Sequence, residues 1–409
     1  MQPVKRIILS GAMAVMLGFS LSSVAQDVTA KAVMQTYTDI AHAAFSDSLA
    51  TARTLKGHID AFVKSPAEET HQAAKDAWLA ARIPYGQTEV FRFGNANVDE
   101  WEGKVNAWPL DEGLIDYVAQ TYEHEDGNEF ASANIISGKE TIDKVLLESY
   151  HEKGGSEANV ATGYHAVEFL LWGQDLNQTP ESAGTRSFTD YANGNTCTND
   201  NCDRRGQYLT AVTDLLVADL QEIVADWEGG KDNYRKAFMA LEENEALRRM
   251  LFGMGSLSLG ELAGERINVA LLAHSQEDEH SCFSDNTHID IAENARGIQN
   301  IFNGTYKSSD GSVVNGASLA QLVAVKNGEL SKALIAKLAD SQAKAGAVIK
   351  AAEAGEHFDQ QIIAGNAKGN ARVRAVINAL RLQTGDIEAV SSALGINELN
   401  PENSDSFGG

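Results

Sequence analysis

Val33-Met-Gln-Thr-Tyr37-Thr-Asp-Ile40-Ala-His-Ala-Ala44-Phe-Ser-Asp-Ser-Leu49-Ala-Thr-Ala52-Arg-Thr-Leu55 places apolar side chains at three- and four-residue steps. That spacing gathers Val33, Tyr37, Ile40, Ala44, Leu49, Ala52 and Leu55 onto one helix face, which must be buried against another element. The pattern then repeats along the chain, while strand-type alternation is scarce. Ser65-Pro66-Ala67-Glu68 reads as a helix start, with Ser65 as N-cap, Pro66 in the first turn and Glu68 in capping-box position. Ala73, Ala77, Trp78 and Ala81 carry that helix toward Pro84, where a kink or break is expected.

Trp108-Pro109-Leu110 is expected to begin another helical piece, and further helices are predicted over 134–150 and 157–173. Residues 176–203 are rich in Asn, Thr, Ser, Gly and Asp and read as a long loop. No proline follows between 181 and 400, which suits long helices at 205–227, 231–275, 286–302, 317–353 and 356–382. The predicted fold is all-α, in two packed helical-bundle domains. The first covers 26–185 and the second 204–397, with a linker at 186–203 and a tail at 398–409.

The N-terminus has the pattern of a secretory signal. Lys5 and Arg6 precede an apolar stretch from Ile7 to Leu21, and Ser23-Val24-Ala25 supplies small residues for cleavage. Residues 1–25 are therefore expected to be removed, with the rest working in the periplasm or cell envelope and carrying no membrane-spanning segment. The chain has 57 acidic residues against 33 basic ones, a net charge of −24. A field of that sign repels nucleic acid and favours cations. Cys197 and Cys202, in a polar loop, are expected to pair in an oxidising compartment, leaving Cys282 as a small buried side chain.

The densest chemical signal is Gly163-Tyr-His165-Ala-Val-Glu168-Phe-Leu-Leu-Trp172. Residues three apart share a helix face, so the His165 imidazole and the Glu168 carboxylate project together, a nitrogen and an oxygen donor side by side. Ten histidines and 57 acids would yield about 1.4 His-x-x-acid pairs by chance, and His274/Glu277 is a second pair with Glu. The spacing alone therefore decides little. Two further stretches add donors. Tyr85–Asn95 sets Glu89 and Arg92 one turn apart among aromatics, where Arg92 could orient a carboxylate or hold an anion. Residues 274–290 pack three His, five acids and one Cys, including Glu277 and His280, into seventeen positions.

Taken together these stretches resemble the imelysin-like (M75 peptidase) family, and specifically its iron-regulated protein A branch. Gly163-Tyr-His165-Ala-Val-Glu168 matches the family's G-x-H-x-x-E motif, and the blocks at 85–95, 108–111 and 276–290 are similar as well. The resemblance covers about residues 35 to 385. It implies an all-helical two-domain fold, an envelope location, an association with bacterial iron uptake, and a site at His165 and Glu168 lined by the Glu89/Arg92 segment.

Three functions follow as expectations. The first is a metal-binding protein, for iron or alternatively zinc, with His165, Glu168, Glu89, Glu277 and His280 as metal ligands and Arg92 beside them. The second is an M75-type metallopeptidase using Glu168. The third is a non-catalytic envelope scaffold that recognises a partner protein or a haem-like ligand. The sequence holds no recognisable arrangement for activating a catalytic water, so binding is favoured over catalysis.

Overall fold

A computed structural model describes residues 28–122, 124, 127–176, 183–396 and 399–402. The expected signal segment, 1–25, and most of the expected tail lie outside them. The opening stripe forms α1, Ala30–Lys64, whose N-cap Thr29 accepts a hydrogen bond from the Ala32 N–H at 3.2 Å. There follow α2 (Glu68–Gly86), α3 (Ala96–Asn106), α4 (Lys144–Tyr150), α5 (Gly163–Trp172) and α6 (Cys202–Trp227). Next come α7 (Tyr234–Met239), α8 (Glu243–Ser256), a π-helical continuation over Leu257–Val269, and α9 (Ala270–Ala273). Beyond α10 (Thr287–Asn303), β1 (Thr305–Lys307) pairs antiparallel with β2 (Val313–Asn315). The chain then forms α11 (Leu319–Lys326), α12 (Gly328–Ala352), α13 (Phe358–Ile362) and α14 (Ala367–Leu394).

The fold is all-α, with helices packed as bundles. Its larger core takes the α1 stripe, with α1 lying against α2 and α6. A smaller core joins the π-helical segment to α10, α12, α13 and α14 through Leu262, Ile267, Ile291, Val348, Phe358 and Val376. Cys197 and Cys202 are disulfide-bonded, and Cys282 is free and buried. Among the described residues, no helix is long and apolar enough to cross a membrane.

Several local expectations are corrected. The N-cap of α2 is Ala67, and Thr70 in place of Glu68 reaches back, its hydroxyl accepting from the Ala67 N–H at 3.1 Å. Pro84 does not end α2, which runs on to Gly86; the missing N–H falls in the last turn, where one intrahelical bond matters least. No α-helix begins at Trp108. That segment has a cis peptide before Pro109 and then a short 3₁₀ turn at Glu112–Leu114. The helix expected over 134–150 is reduced to α4, capped by the Asp143 carboxylate on the Leu146 N–H at 2.9 Å. Asparagines divide two long predictions, 317–353 and 356–382: Asn327 caps α12 and Asn366 caps α14, each side chain satisfying a backbone N–H that a helix start would otherwise leave unpaired, while the helix expected over 231–275 breaks at 240–242, between α7 and α8. The β1–β2 hairpin was not anticipated. It is tied to α1 by the Tyr306 hydroxyl, which donates to Asp47 at 2.8 Å.

Candidate metal centre

The glycine of the G-x-H-x-x-E motif has a backbone reason. Gly163 begins α5 with φ +83°, and a Cβ there would stand 2.6 Å from the Val105 backbone. Only glycine lets α5 start so close to the end of α3. The Trp78 indole N–H donates to the Tyr164 carbonyl at 3.0 Å and the Tyr208 hydroxyl to the Ala161 carbonyl at 2.8 Å, which fixes this start from two sides.

From that start His165 and Glu168 point into the interior, both fully or almost fully buried. His165 Nδ1 lies 2.8 Å from Glu168 Oε2. The other carboxylate oxygen accepts from Ser284, from its N–H at 3.0 Å and its hydroxyl at 2.7 Å. Burial pushes the Glu168 carboxyl up to about 8, although the Ser284 bonds pull the other way. Burial, then the neighbouring His280 and Arg82, hold the His165 imidazole well below its usual range. His165 Nε2 is buried with no hydrogen-bond partner.

His280, from the loop before α10, packs edge-on against His165 with ring centroids 4.7 Å apart. Its Nδ1 is 3.0 Å from Asp290 Oδ2 and its Nε2 is 3.4 Å from the Asn106 amide nitrogen. An amide N–H can only donate, so Nε2 of His280 is the acceptor and its Nδ1–H donates to Asp290. Asp290 is also ion-paired with buried Arg82 at 3.1 Å, which holds its carboxyl far below the usual range despite burial. Arg82 in turn donates to the Asn106 side-chain oxygen at 2.6 Å. Two imidazoles, each with a carboxylate at Nδ1, therefore lie side by side.

This arrangement suits a metal through the Nε2 of His165 more than through Glu168, the Nε2 of His280 being already engaged by Asn106. A carboxylate on Nδ1 fixes the tautomer, leaves the Nε2 lone pair for an ion and makes that nitrogen more basic. Burial favours the neutral imidazole that ligation needs. The unpartnered Nε2 of His165 is the observation that fits such a group, and Glu168 then serves as the carboxylate that orients the ligand.

The remaining predicted residues lie around this pair or apart from it. Glu89, in a 3₁₀ turn after α2, is ion-paired with Arg266 at 2.7 Å. Arg92 pairs with Asp99 at 3.0 Å and with Glu102 and Glu261 at 3.5 Å, in place of Glu89. Arg266 also meets Glu261 at 2.8 Å, a pair five residues apart. On an α-helix such residues face different ways; the i→i+5 bonding of a π-helix stacks them. Arg92, Glu261 and Arg266, though not Glu89, border a cavity of about 540 Å³ that His280 also lines, with Glu102, Glu152, Glu157 and Glu265 on its wall. Glu277 is in another cavity, of about 900 Å³, beside Glu112, whose carboxyl burial and the Glu277 charge push up to about 8. The His274/Glu277 pair is not formed, since His274 Nδ1 instead meets the Ile362 carbonyl.

Sequence reasoning did not single out Arg82, Asn106, Ser284, Asp290 or Arg266. One of them left a readable trace. Arg82 falls on the Trp78–Tyr85 stripe of α2, where an arginine among apolar positions signals a buried partner.

Comparison with known proteins agrees with this architecture. The profile of the imelysin family (peptidase M75) matches residues 41–387. The chain is 24% identical over 272 residues to the iron-regulated protein A of Synechococcus elongatus, covering 64% of this chain and 60% of that protein. The match thus spans less than two thirds of that relative's length. A crystal structure described as an iron-regulated protein A precursor from Parabacteroides distasonis superposes with a TM-score of 0.65 at 18% identity, covering 89% of this chain and 94% of that one. An imelysin-like protein from Psychrobacter arcticum superposes with a TM-score of 0.58 at 15% identity, covering 91% and 98%. At those identities the two structures speak to the fold alone. With the family profile extending across both helical cores and the G-x-H-x-x-E residues, the chain belongs to the imelysin family.

Proposed function

We propose that this chain is an exported metal-handling protein associated with iron uptake, holding an iron ion or an iron-containing ligand at the buried His165/His280 pair. The observation that carries the reading is the buried, unpartnered Nε2 of His165, whose Nδ1 faces Glu168. His165 would supply the ligand nitrogen, with Glu168 and Asp290 setting the two imidazole orientations. The acid-rich cavity beside His280 would draw cations toward the pair. The iron association comes from the iron-regulated relatives that the chain resembles. Export to the periplasm or cell envelope rests on the N-terminal sequence pattern and is favoured by the Cys197–Cys202 pair.

Binding is preferred to peptidase chemistry because Glu168 has both oxygens engaged, one by His165 and one by Ser284. A catalytic zinc needs three protein ligands and an open position for water, with a base free to act on it. The test is metal content after purification, with iron and zinc offered to wild type, His165→Ala and Glu168→Gln. Loss of bound metal in His165→Ala supports the reading. Equal content and affinity in all three proteins would overturn it. Chelator-sensitive cleavage of a peptide panel, lost in Glu168→Gln, would favour the peptidase instead.

A further inference from the structure

A second group of donors lies on the far side of the same loop. Glu279 precedes His280 in the segment between α9 and α10, Asp285 lies near the end of that segment at a positive φ of 57°, and Asp359 is in the first turn of α13. One ligand atom from each lies within 4.8 Å of the others, and all three residues are buried. Among the described residues this is the one set of three His, Cys or acidic side chains so closely spaced.

Proximity alone would not make a site, since acids also cluster without ions. The second observation is that Glu279 is 0% exposed and neither of its carboxylate oxygens has a hydrogen-bond partner. Asp285 Oδ1 and Asp359 Oδ1 are likewise buried without partners. The charged groups acting on Glu279 are Asp285, Asp359 and Asp175; the Thr287 hydroxyl is near enough to offset them in part but falls short of hydrogen-bond geometry. Those acting on Asp285 are Asp359 and Asp175. Asp359 faces the His357 imidazole and accepts from the Gln360 amide. Four buried oxygens of these three residues thus lack donors amid mostly anionic surroundings, an arrangement that is costly unless protons or a cation neutralise it.

We infer that Glu279, Asp285 and Asp359 form a separate site for a hard divalent cation of the calcium class. Three carboxylates with no imidazole or thiolate among the donors select hard ions bound through oxygen. Calcium takes oxygens at about 2.3–2.6 Å, so ligands on opposite sides of it stand about 4.6–5.2 Å apart. Separations of no more than 4.8 Å lie within that span, and magnesium dehydrates reluctantly and is seldom held in an all-protein cage, so a buried set of carboxylates favours calcium. The site joins the 274–286 loop to α13. That loop also carries His280 and Ser284, so a cation here would hold in place the segment that completes the imidazole pair.

The experiment uses the full secreted chain, stripped with EDTA and titrated with calcium chloride by calorimetry, with magnesium chloride as a second arm. Wild type and His165→Ala should each bind one equivalent of calcium, more tightly than magnesium. Glu279→Gln/Asp359→Asn should bind it about a hundredfold more weakly, as expected when ligand charge is removed. Should that double variant fail to fold, Asp285→Asn alone gives the same comparison. Absence of calcium binding in wild type, or equal binding in wild type and the carboxylate variants, overturns the inference. Because His165→Ala retains this site, the result is independent of whether iron binds at the imidazole pair.

Discussion

Ser284 donates two hydrogen bonds to one oxygen of Glu168, from its N–H at 3.0 Å and its hydroxyl at 2.7 Å, across 116 residues of sequence. Both bonds favour the charged carboxylate. Ser284→Ala removes one, so the Glu168 carboxyl should rise further and its grip on His165 Nδ1–H should weaken. Metal affinity is expected to fall about tenfold, the usual scale for losing a group that supports a ligand. A binding titration of Ser284→Ala that overlays wild type would contradict this.

Metal binding should depend on pH through Glu168. With its carboxyl at about 8, metal-free Glu168 keeps its proton at neutral pH. Ligation at His165 Nε2 requires the proton on Nδ1 and the carboxylate charged, so one proton leaves on binding. Affinity should therefore rise about tenfold per unit up to about pH 8 and then level off. Calorimetry at pH 7 in two buffers of different ionisation enthalpy measures the proton directly. Glu168→Gln should release none.

The stability of the metal-free protein should fall as pH rises from about 6.5 to 8. Glu112, held at about 8, binds a proton in the folded state that an unfolded carboxyl has already lost. A carboxyl raised in this way contributes stability fully present below its unfolded value and lost as pH passes its folded value. His71, His280 and His288, each lowered to about 4, oppose this only below their unfolded value near 6.5. Each raised carboxyl contributes at most about 1.4 kcal/mol per pH unit. Thermal melts across that window should show a shallower slope for Glu112→Gln, and an unchanged slope would remove Glu112 from the account.

Asp116 is shared by two buried arginines, Arg186 Nη1 and Arg205 Nε, each 2.7 Å from its Oδ2. Asp116→Asn leaves two guanidiniums short of charge in a place with almost no water. Denaturant unfolding should show a loss of about 3–5 kcal/mol. A loss below about 1 kcal/mol, the level of an exposed ion pair, would mean the network is far better solvated than its burial indicates.

What could be read from the sequence was what repeats or what sits within one turn. The stripe from Val33 to Leu55 determined α1, and His165 with Glu168 formed the pair that i,i+3 spacing allows. The neighbours of that pair could not be read in the same way. Ser284 and Asp290 reach it from a loop and the start of α10, and no periodicity links positions a hundred residues apart. Glu89 and Arg92 showed the opposite error: only three apart in sequence, they take different partners, Arg266 for the first and Asp99, Glu102 and Glu261 for the second. Asn327 and Asn366 carried the information that divides two of the long helices, yet an asparagine within an apolar-periodic stretch reads equally as a cap or as an exposed interior residue.

The π-helical stretch from Leu257 to Val269 has an effect on how this region tolerates change. Over those turns the chain keeps a longer ruler, on which Glu261 and Arg266 count as neighbours although they are five positions apart. Removing one residue between them would leave the two four apart on an ordinary helix, still facing each other. The acid–base contact beside the cavity would thus outlast such a deletion, the shortened turn closing as an ordinary α turn. In this part of the molecule, length and pairing can change independently.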